Sequence, residues 1–394
     1  MNLLIKNVNL IDYKREEYGD IYVEDGKIKE IGKNINKSCR VIDGEGLYIL
    51  PSFIDTHCHF RDPGFTYKET LESGSMAANK GGYTGVNLMA NTMPVIDSME
   101  KALDVIKRGN EIGKVHIHQC ISITKDFDGK DLSSLEEIED PVKIISEDGF
   151  DVESSAVMYK AMKIAKEKNL IVMCHSEDKS LININSRLSE NINVLRNIEI
   201  AKEASCRLHL AHVSTKGAME YIINEKKKGN KLTCEVMPHH IGLYDNKFKV
   251  NPPIRDYEDV IYLKNAVKDG YVDTIGTDHA PHSAEDKLKG ANGISGIETA
   301  FSVCYTNLVK EGWITLGRLS ELMSKNGADL LSMNKGRLDI GCDGDLVLID
   351  INKEITIDSK NFYSKGKNTP FDGMKYYGDI ICTIKGGEIV YDNR

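Results

Sequence analysis

Apolar and polar positions alternate along the first 47 or so residues, in "LLIKNVNLID", "GDIYVEDGKIKEIG" and "RVIDGEGLYIL". A period of two is the mark of strands with one buried face. Between these pieces, "EDGK" and "DGEG" read as hairpin turns. The last 55 residues repeat the pattern in "GDLVLIDINKEITI" and "GDIICTIKGGEIVYD". Each end is short for an independent sheet. The economical prediction is one small, discontinuous β domain built from residues 1–47 and 340–394.

Between the ends the period changes. Apolar runs alternate with stretches of helical pattern. Eight runs can be counted: "YILPSFIDTHCH", "GYTGVNLMA", "KVHIHQCISI", "VKIISED", "LIVMCHSE", "RLHLAHVS", "LTCEVMPHH" and "VDTIGTDHAPH". "SMEKALDVIKRGNEIG" and "VESSAVMYKAMKIAKEKN" are helical candidates between them, the second with apolar positions at helical spacing. Near-continuous apolar strands suit a parallel sheet covered by helices. The pattern predicts an α/β fold, a (β/α)8 TIM barrel over residues 48–339.

In such a barrel the chemistry sits at the C-terminal ends of the strands. The first run ends in His57 and His59, the fourth in Glu147 and Asp148. The fifth ends in His175, the sixth in His212 and the eighth in Asp278. Strand ends converge on one mouth, so these residues can meet although they lie far apart in the chain. Alternation puts His57 and His59 on one side of their strand and Cys58 on the other. "KVHIHQ" repeats the spacing with His116 and His118, but near the start of its run. These two are expected to be structural. Cys58 and Cys174 adjoin the ligand candidates and are expected to face the core.

Four histidines and two carboxylates suit one or two divalent ions of the zinc type. A carboxylate can bridge paired ions, which can share a hydroxide nucleophile. Asp148 is the natural bridge. Asp278 could hold one ion and also accept a proton from the attacking water. Arg61 follows His59 by two and would face the same pocket if the extended backbone continues; its planar guanidinium suits a carboxylate. Asn91 follows the second strand, where a turn-forming role competes, and His282 follows the eighth.

Composition narrows the class. Of 394 residues, 41% are hydrophobic and 28% charged, ordinary values for a globular protein. The formal net charge of −9 argues against a nucleic-acid or anionic-membrane surface. No apolar run is long enough to span a bilayer. The opening "MNLLIKNVNLIDYKREEYGD" turns polar too soon for a signal peptide. Nine scattered cysteines with no C-x-x-C pair predict a reduced, cytoplasmic protein.

The motifs "IDTHCHFRDPG", "MANTMPVIDS", "SEDG", "CHSED", "LHLAHVST", "CEVMPHH", "NPPIR", "GTDHAPH", "GIETA" and "SKGKNTPFDG" run in order from residue 50 to residue 373. In these the chain resembles the dihydroorotases of the amidohydrolase superfamily. The resemblance implies a metal-bearing barrel with a small β-sandwich-like domain from both termini. It implies that His57, His59 and Asp278 hold one ion, that His175 and His212 hold the second, and that Asp148 bridges them. Arg61, Asn91 and His282 would clamp the substrate carboxylate, with Asn251 in "NPPIR" as a further substrate contact. The reaction implied is the reversible closure of N-carbamoyl-L-aspartate to L-dihydroorotate in pyrimidine synthesis, with Asp278 as general acid and base.

Related hydantoinases and allantoinases use a carboxylated lysine as the bridge, and Lys143 lies five residues before Asp148. Those enzymes are the first alternative. A non-catalytic partner of aspartate carbamoyltransferase is the second, although such chains lose metal ligands and this one keeps all six. Association with that transferase, and a homodimer, are implied by analogy only. Two departures stand out. Glu147 occupies a position that is aspartate in many relatives, and the stretch after "CHSED" lacks a Gly- and Pro-rich segment.

Overall fold

The computed structural model describes residues 2–394. Strands β1 (Leu3–Ile11), β2 (Glu16–Glu24), β3 (Lys27–Gly32), β4 (Arg40–Asp43) and β5 (Tyr48–Pro51) come first. The barrel strands follow: β6 (Phe53–Cys58), β7 (Tyr83–Leu88), β8 (His116–Gln119), β9 (Ile144–Ser146), β10 (Ile171–Cys174), β11 (Arg207–Leu210), β12 (Leu232–Val236) and β13 (Thr274–Ile275). The chain closes with β14 (Leu346–Thr356), β15 (Lys375–Lys385) and β16 (Glu388–Asp392).

Both chain ends build one eight-stranded sheet in the order β16-β15-β14-β5-β1-β2-β3, with β4 also on β1. Its inner face packs Leu3, Ile5, Val8 and Leu10 against Ile21, Val23, Leu346 and Leu348. "EDGK" forms the expected hairpin between β2 and β3, with Asp25 and Gly26 both at positive φ. "DGEG" does not form a hairpin. β4 and β5 both run parallel to β1, one after the other along it, so the loop only steps the chain from one pairing to the next. The first apolar run is also divided. Tyr48–Pro51 pairs with β14 in the terminal sheet, and the barrel strand begins at Phe53. Nothing in the continuous apolar pattern of "YILPSFIDTHCH" marks that change of partner.

The eight barrel strands pair in parallel as β6-β7-β8 and β9-β10-β11-β12-β13. Bridges from Ile121 to Ile145 and from Cys58 to His279 join the two groups into a closed ring. Period two is visible across the wall. Ile171 and Met173 of β10 join an inner cluster with Leu330 and Leu331, while Val172 and Cys174 pack outward in the larger core. The two predicted helices form at Met99–Ile112 and Ser155–Glu167, capped by the side chains of Ser98 and Ser154. Among the described residues no helix is long and apolar enough to cross a membrane.

Candidate metal centre and substrate pocket

Strand β6 carries two register shifts against β7, one of them between Asp55 and Cys58. Such irregularities re-aim side chains at strand ends. Here strict alternation fails, and Thr56 and His57 both reach Glu235. Cys58 and Cys174 are buried in the outer core, as expected.

The six ligand candidates meet at the barrel mouth. Asp148 is the centre. Its Oδ1 lies 3.1 Å from His57 Nε2, 3.5 Å from His175 Nδ1 and 3.6 Å from His212 Nε2. Its Oδ2 lies 3.4 Å from His59 Nε2. Asp278 Oδ1 stands 3.1 Å from His59 Nε2 and 3.8 Å from His57 Nε2. Two ligand groups result, His57/His59/Asp148 and Asp148/His175/His212, and Asp148 belongs to both.

A divalent ion fits these residues. His57 Nε2 and Asp148 Oδ1 are buried with no hydrogen-bond partner, although each faces the other's charge. His175 Nδ1 and His212 Nε2 lie 2.7 Å apart. Unpartnered buried polar atoms are costly, and nitrogen and carboxylate donors at such spacing suit a zinc-type cation. Burial pushes the Asp148 carboxyl up, but His57, His175 and His212 outweigh it and hold the group well below the usual carboxylate range. Asp278 is shifted the same way, with burial opposed by His59 and His57. Both carboxylates are therefore kept charged.

Backbone strain accompanies this arrangement. Arg61, His212 and Asp278 adopt left-handed φ values of 58°, 34° and 46°. Such conformations are costly for residues with a Cβ and are tolerated where the surrounding structure holds them. At Arg61 the extended backbone does not continue as expected, yet the side chain still lines the pocket.

The cavity over the centre measures about 220 Å³. Arg61, Asn91, Asn251, His282 and five of the six ligand candidates line it, and His57 lies beneath the floor. Arg61 Nη2 is 3.3 Å from His282 Nε2. Burial, together with Arg61 and Lys68, lowers the His282 pKa to about 3, so its ring is neutral. Asn91 Oδ1 meets His59 Nδ1 at 2.8 Å, and its amide donates to the Asp148 carbonyl at 3.3 Å. Asn251 donates to Glu177 Oε2 at 2.7 Å and approaches His175 Nε2 at 3.3 Å. Larger hollows lie beside Cys206 and between the barrel and the terminal sheet. Neither gathers a metal-ligand set among the described residues.

Residues outside the pocket have other partners. His116 is exposed at the start of β8. His118 Nδ1 meets Asn87 Oδ1 at 2.6 Å, and its Nε2 accepts from the Lys143 backbone at 2.8 Å. The Lys143 side chain pairs with Asp140 on the surface. Glu147 turns away from Asp148 to accept from the Thr124 backbone N–H and hydroxyl. Sequence reasoning missed Glu177, Lys68 and Glu235. Lys68 Nζ approaches His282 Nδ1 at 3.3 Å. Glu235 lies inside the seventh run, one residue short of the end of β12, so the strand-end rule does not single it out; its signal is that it is the one carboxylate in that run.

The Amidohydrolase family profile matches residues 48–390. A dihydroorotase from Clostridium botulinum is 52% identical, covering 99% of this chain and all of the relative. A dihydroorotase from Bacillus cytotoxicus is 39% identical, covering 100% of this chain and 99% of that one. Among solved structures, an L-hydantoinase from Arthrobacter aurescens superposes with a TM-score of 0.91 at 26% identity, covering 99% of this chain and 96% of its own.

Proposed function

The chain belongs to the amidohydrolase family, and on that premise we propose that it catalyses the dihydroorotase reaction, the reversible closure of N-carbamoyl-L-aspartate to L-dihydroorotate and water. It is an enzyme acting on a small cyclic amide. The observation that carries the reading is Asp148, an aspartate shared between two ligand groups in a chain 52% identical to a dihydroorotase along its whole length. The lysine bridge of hydantoinase-like relatives has no support, since Lys143 pairs with Asp140 outside the site.

His57, His59 and Asp278 would hold one ion, His175 and His212 a second, and Asp148 both. Zinc, as one or two ions, is the metal we propose. When bound, the ions activate water and polarise the reacting carbonyl. Asp278 Oδ takes a proton from the attacking water and returns it to the departing ring nitrogen. Arg61 supplies the charge that holds the substrate carboxylate, and neutral His282 beside it fixes the direction of approach. Asn91 and Asn251 bind substrate from amides already anchored on His59 and Glu177. We further propose a cytoplasmic homodimer. Support for the dimer is an exposed apolar stripe of Leu188, Ile192 and Leu195 on the helix Ser186–Ala204, with Ile184 exposed in the turn before it, and support for the cytoplasm is nine unpaired cysteines.

The test is turnover of L-dihydroorotate and of carbamoyl aspartate by purified protein, before and after chelation and with zinc restored. Activity that disappears on chelation and returns with zinc is expected. Inactivity in both directions with metal bound would move the assignment to another cyclic amide.

A further inference from the structure

Below the ligand cluster lies a carboxylate for which the proposed reaction has no use. Glu235, the penultimate residue of β12, is fully buried. Its Oε1 lies 2.8 Å from His57 Nδ1, and its Oε2 accepts from Thr56 Oγ1 at 2.5 Å. A second buried imidazole, His209 Nε2, stands 3.3 Å from Oε2. We propose that Glu235 is a positioning residue that fixes His57 as a metal ligand and thereby sets the affinity of the ion site that His57 shares with His59.

A carboxylate accepts hydrogen bonds and donates none. Facing Oε1, His57 Nδ1 must carry the proton, so the lone pair of a neutral ring lies on Nε2. That atom is the one aimed at Asp148 and left without a hydrogen-bond partner. One contact therefore sets both the tautomer and the tilt of the ring. Ligating histidines generally need such an outer partner, and its loss weakens metal binding.

An independent feature shows that the space for this carboxylate is built in. Gly276 follows β13 in "GTDHAPH". A Cβ there would stand 2.8 Å from Glu235 Oε2 and 3.1 Å from Thr56 Oγ1. Gly276 has no positive φ to explain its lack of a side chain. What it gives is room, and Glu235 fills it. Three strand ends thus cooperate: β6 brings Thr56 and His57, β12 brings Glu235, and the residue after β13 leaves the gap. The glutamate of "CEVMPHH" and the glycine of "GTDH" receive one explanation.

The inference rests on the metal reading above, and the test separates the two. Full-length wild type, Glu235→Ala and Glu235→Gln are stripped of metal and titrated with zinc against a competing chelator. Wild type that binds no zinc would overturn the metal reading itself. With wild type binding zinc, Glu235→Ala should weaken one equivalent by roughly 10–100-fold. Glu235→Gln keeps the shape and an accepting oxygen, so it should recover part of the loss. The rise in thermal midpoint on adding zinc should shrink, while KM for dihydroorotate stays within about twofold, because Glu235 touches no substrate group. A merely structural role would instead lower the midpoint of the metal-free protein and leave zinc affinity alone. Wild-type zinc affinity in both variants overturns the proposal. If Glu235→Ala does not fold, Glu235→Gln and Gly276→Ala carry the test, the latter by pushing the carboxylate off its seat. Failure of all three to fold would assign Glu235 to the fold and also overturn it.

Discussion

Two His-X-His pairs with the same spacing meet opposite fates in this barrel. His57 and His59 stand at the C-terminal end of β6, and their Nε2 atoms face Asp148 at 3.1 and 3.4 Å. His116 opens β8 and His118 is its third residue, both short of the bridge from Ile121 to Ile145 that continues toward the mouth. The first is exposed, and both ring nitrogens of the second are occupied by Asn87 and the Lys143 backbone. The chemistry of the side chains is identical. What differs is how far along the barrel wall they stand: His59 lies beyond the end of β6, whereas His118 is level with Lys143, just before β9 begins. One end of the wall opens on the mouth where eight strand ends converge, and the other is sealed by packing. A motif in a barrel therefore carries meaning only with its place on the strand.

The largest effect should separate the pairs outright. Asp278→Asn and His59→Ala each remove a ligand candidate, and the first also removes the proton acceptor. Turnover should fall by at least about 10³-fold in each, within the range for losing general acid–base chemistry and beyond that of an outer-shell change. Steady-state assays with circular dichroism on the same samples check this. Near-normal turnover from folded Asp278→Asn would remove its assigned role.

His118→Ala should do the reverse. Turnover per folded molecule stays near wild type, but inside the barrel wall the Lys143 N–H loses its partner and Asn87 Oδ1 keeps only the weaker Cys120 Sγ donor. Stripping one partner from buried polar groups costs about 1–3 kcal/mol, readable in urea unfolding. Unchanged stability together with lost zinc would reverse the assignment of the two pairs. Lys143→Ala should leave turnover within about twofold, since a surface pair with Asp140 is worth little. A large loss of activity and metal in that variant would instead revive the lysine bridge.

The comparison also explains what could be read from the chain. The barrel was legible because buried parallel strands are apolar throughout, so His175, His212 and Asp278 stand out where the apolar runs stop. The division at Ser52 was not legible, because Leu50, whose strand pairs with β14, and Phe53, whose strand pairs with β7, are equally apolar and bury in the same core. "DGEG" has hairpin chemistry, but which edge a strand joins is decided by tertiary packing and not by the turn. The aim of Thr56 and His57 depends on a register shift against β7, a fact about two strands at once. Glu235 was visible only as the one carboxylate inside the run "LTCEVMPHH". Its pairing with His57 needed the closure of the ring, which sets β6 beside β13 and β12.

An effect seen only as pH changes applies the same rule to two adjacent residues. Asp148 faces the cluster, while Glu147 faces Thr124 and is almost fully buried. Burial raises the Glu147 pKa from 4.5 to about 7 against the pull of the Thr124 hydrogen bonds. The folded state thus holds a proton that the unfolded chain releases near pH 4.5. The stabilising contribution is complete below that pH and is lost as pH rises through about 7. Each unit of difference is worth about 1.4 kcal/mol at most, and solvent reaching the loop reduces it. Glu147→Gln keeps a neutral group of the same shape at every pH. Compared with that variant, wild type should lose about a kilocalorie per mole or more between pH 5 and pH 7, with no further change above about pH 8. Melting both proteins across this range reads the difference directly. A constant gap would mean that Glu147 is already charged in the fold, and that it contributes through charge-assisted hydrogen bonds to Thr124 rather than as a buried acid.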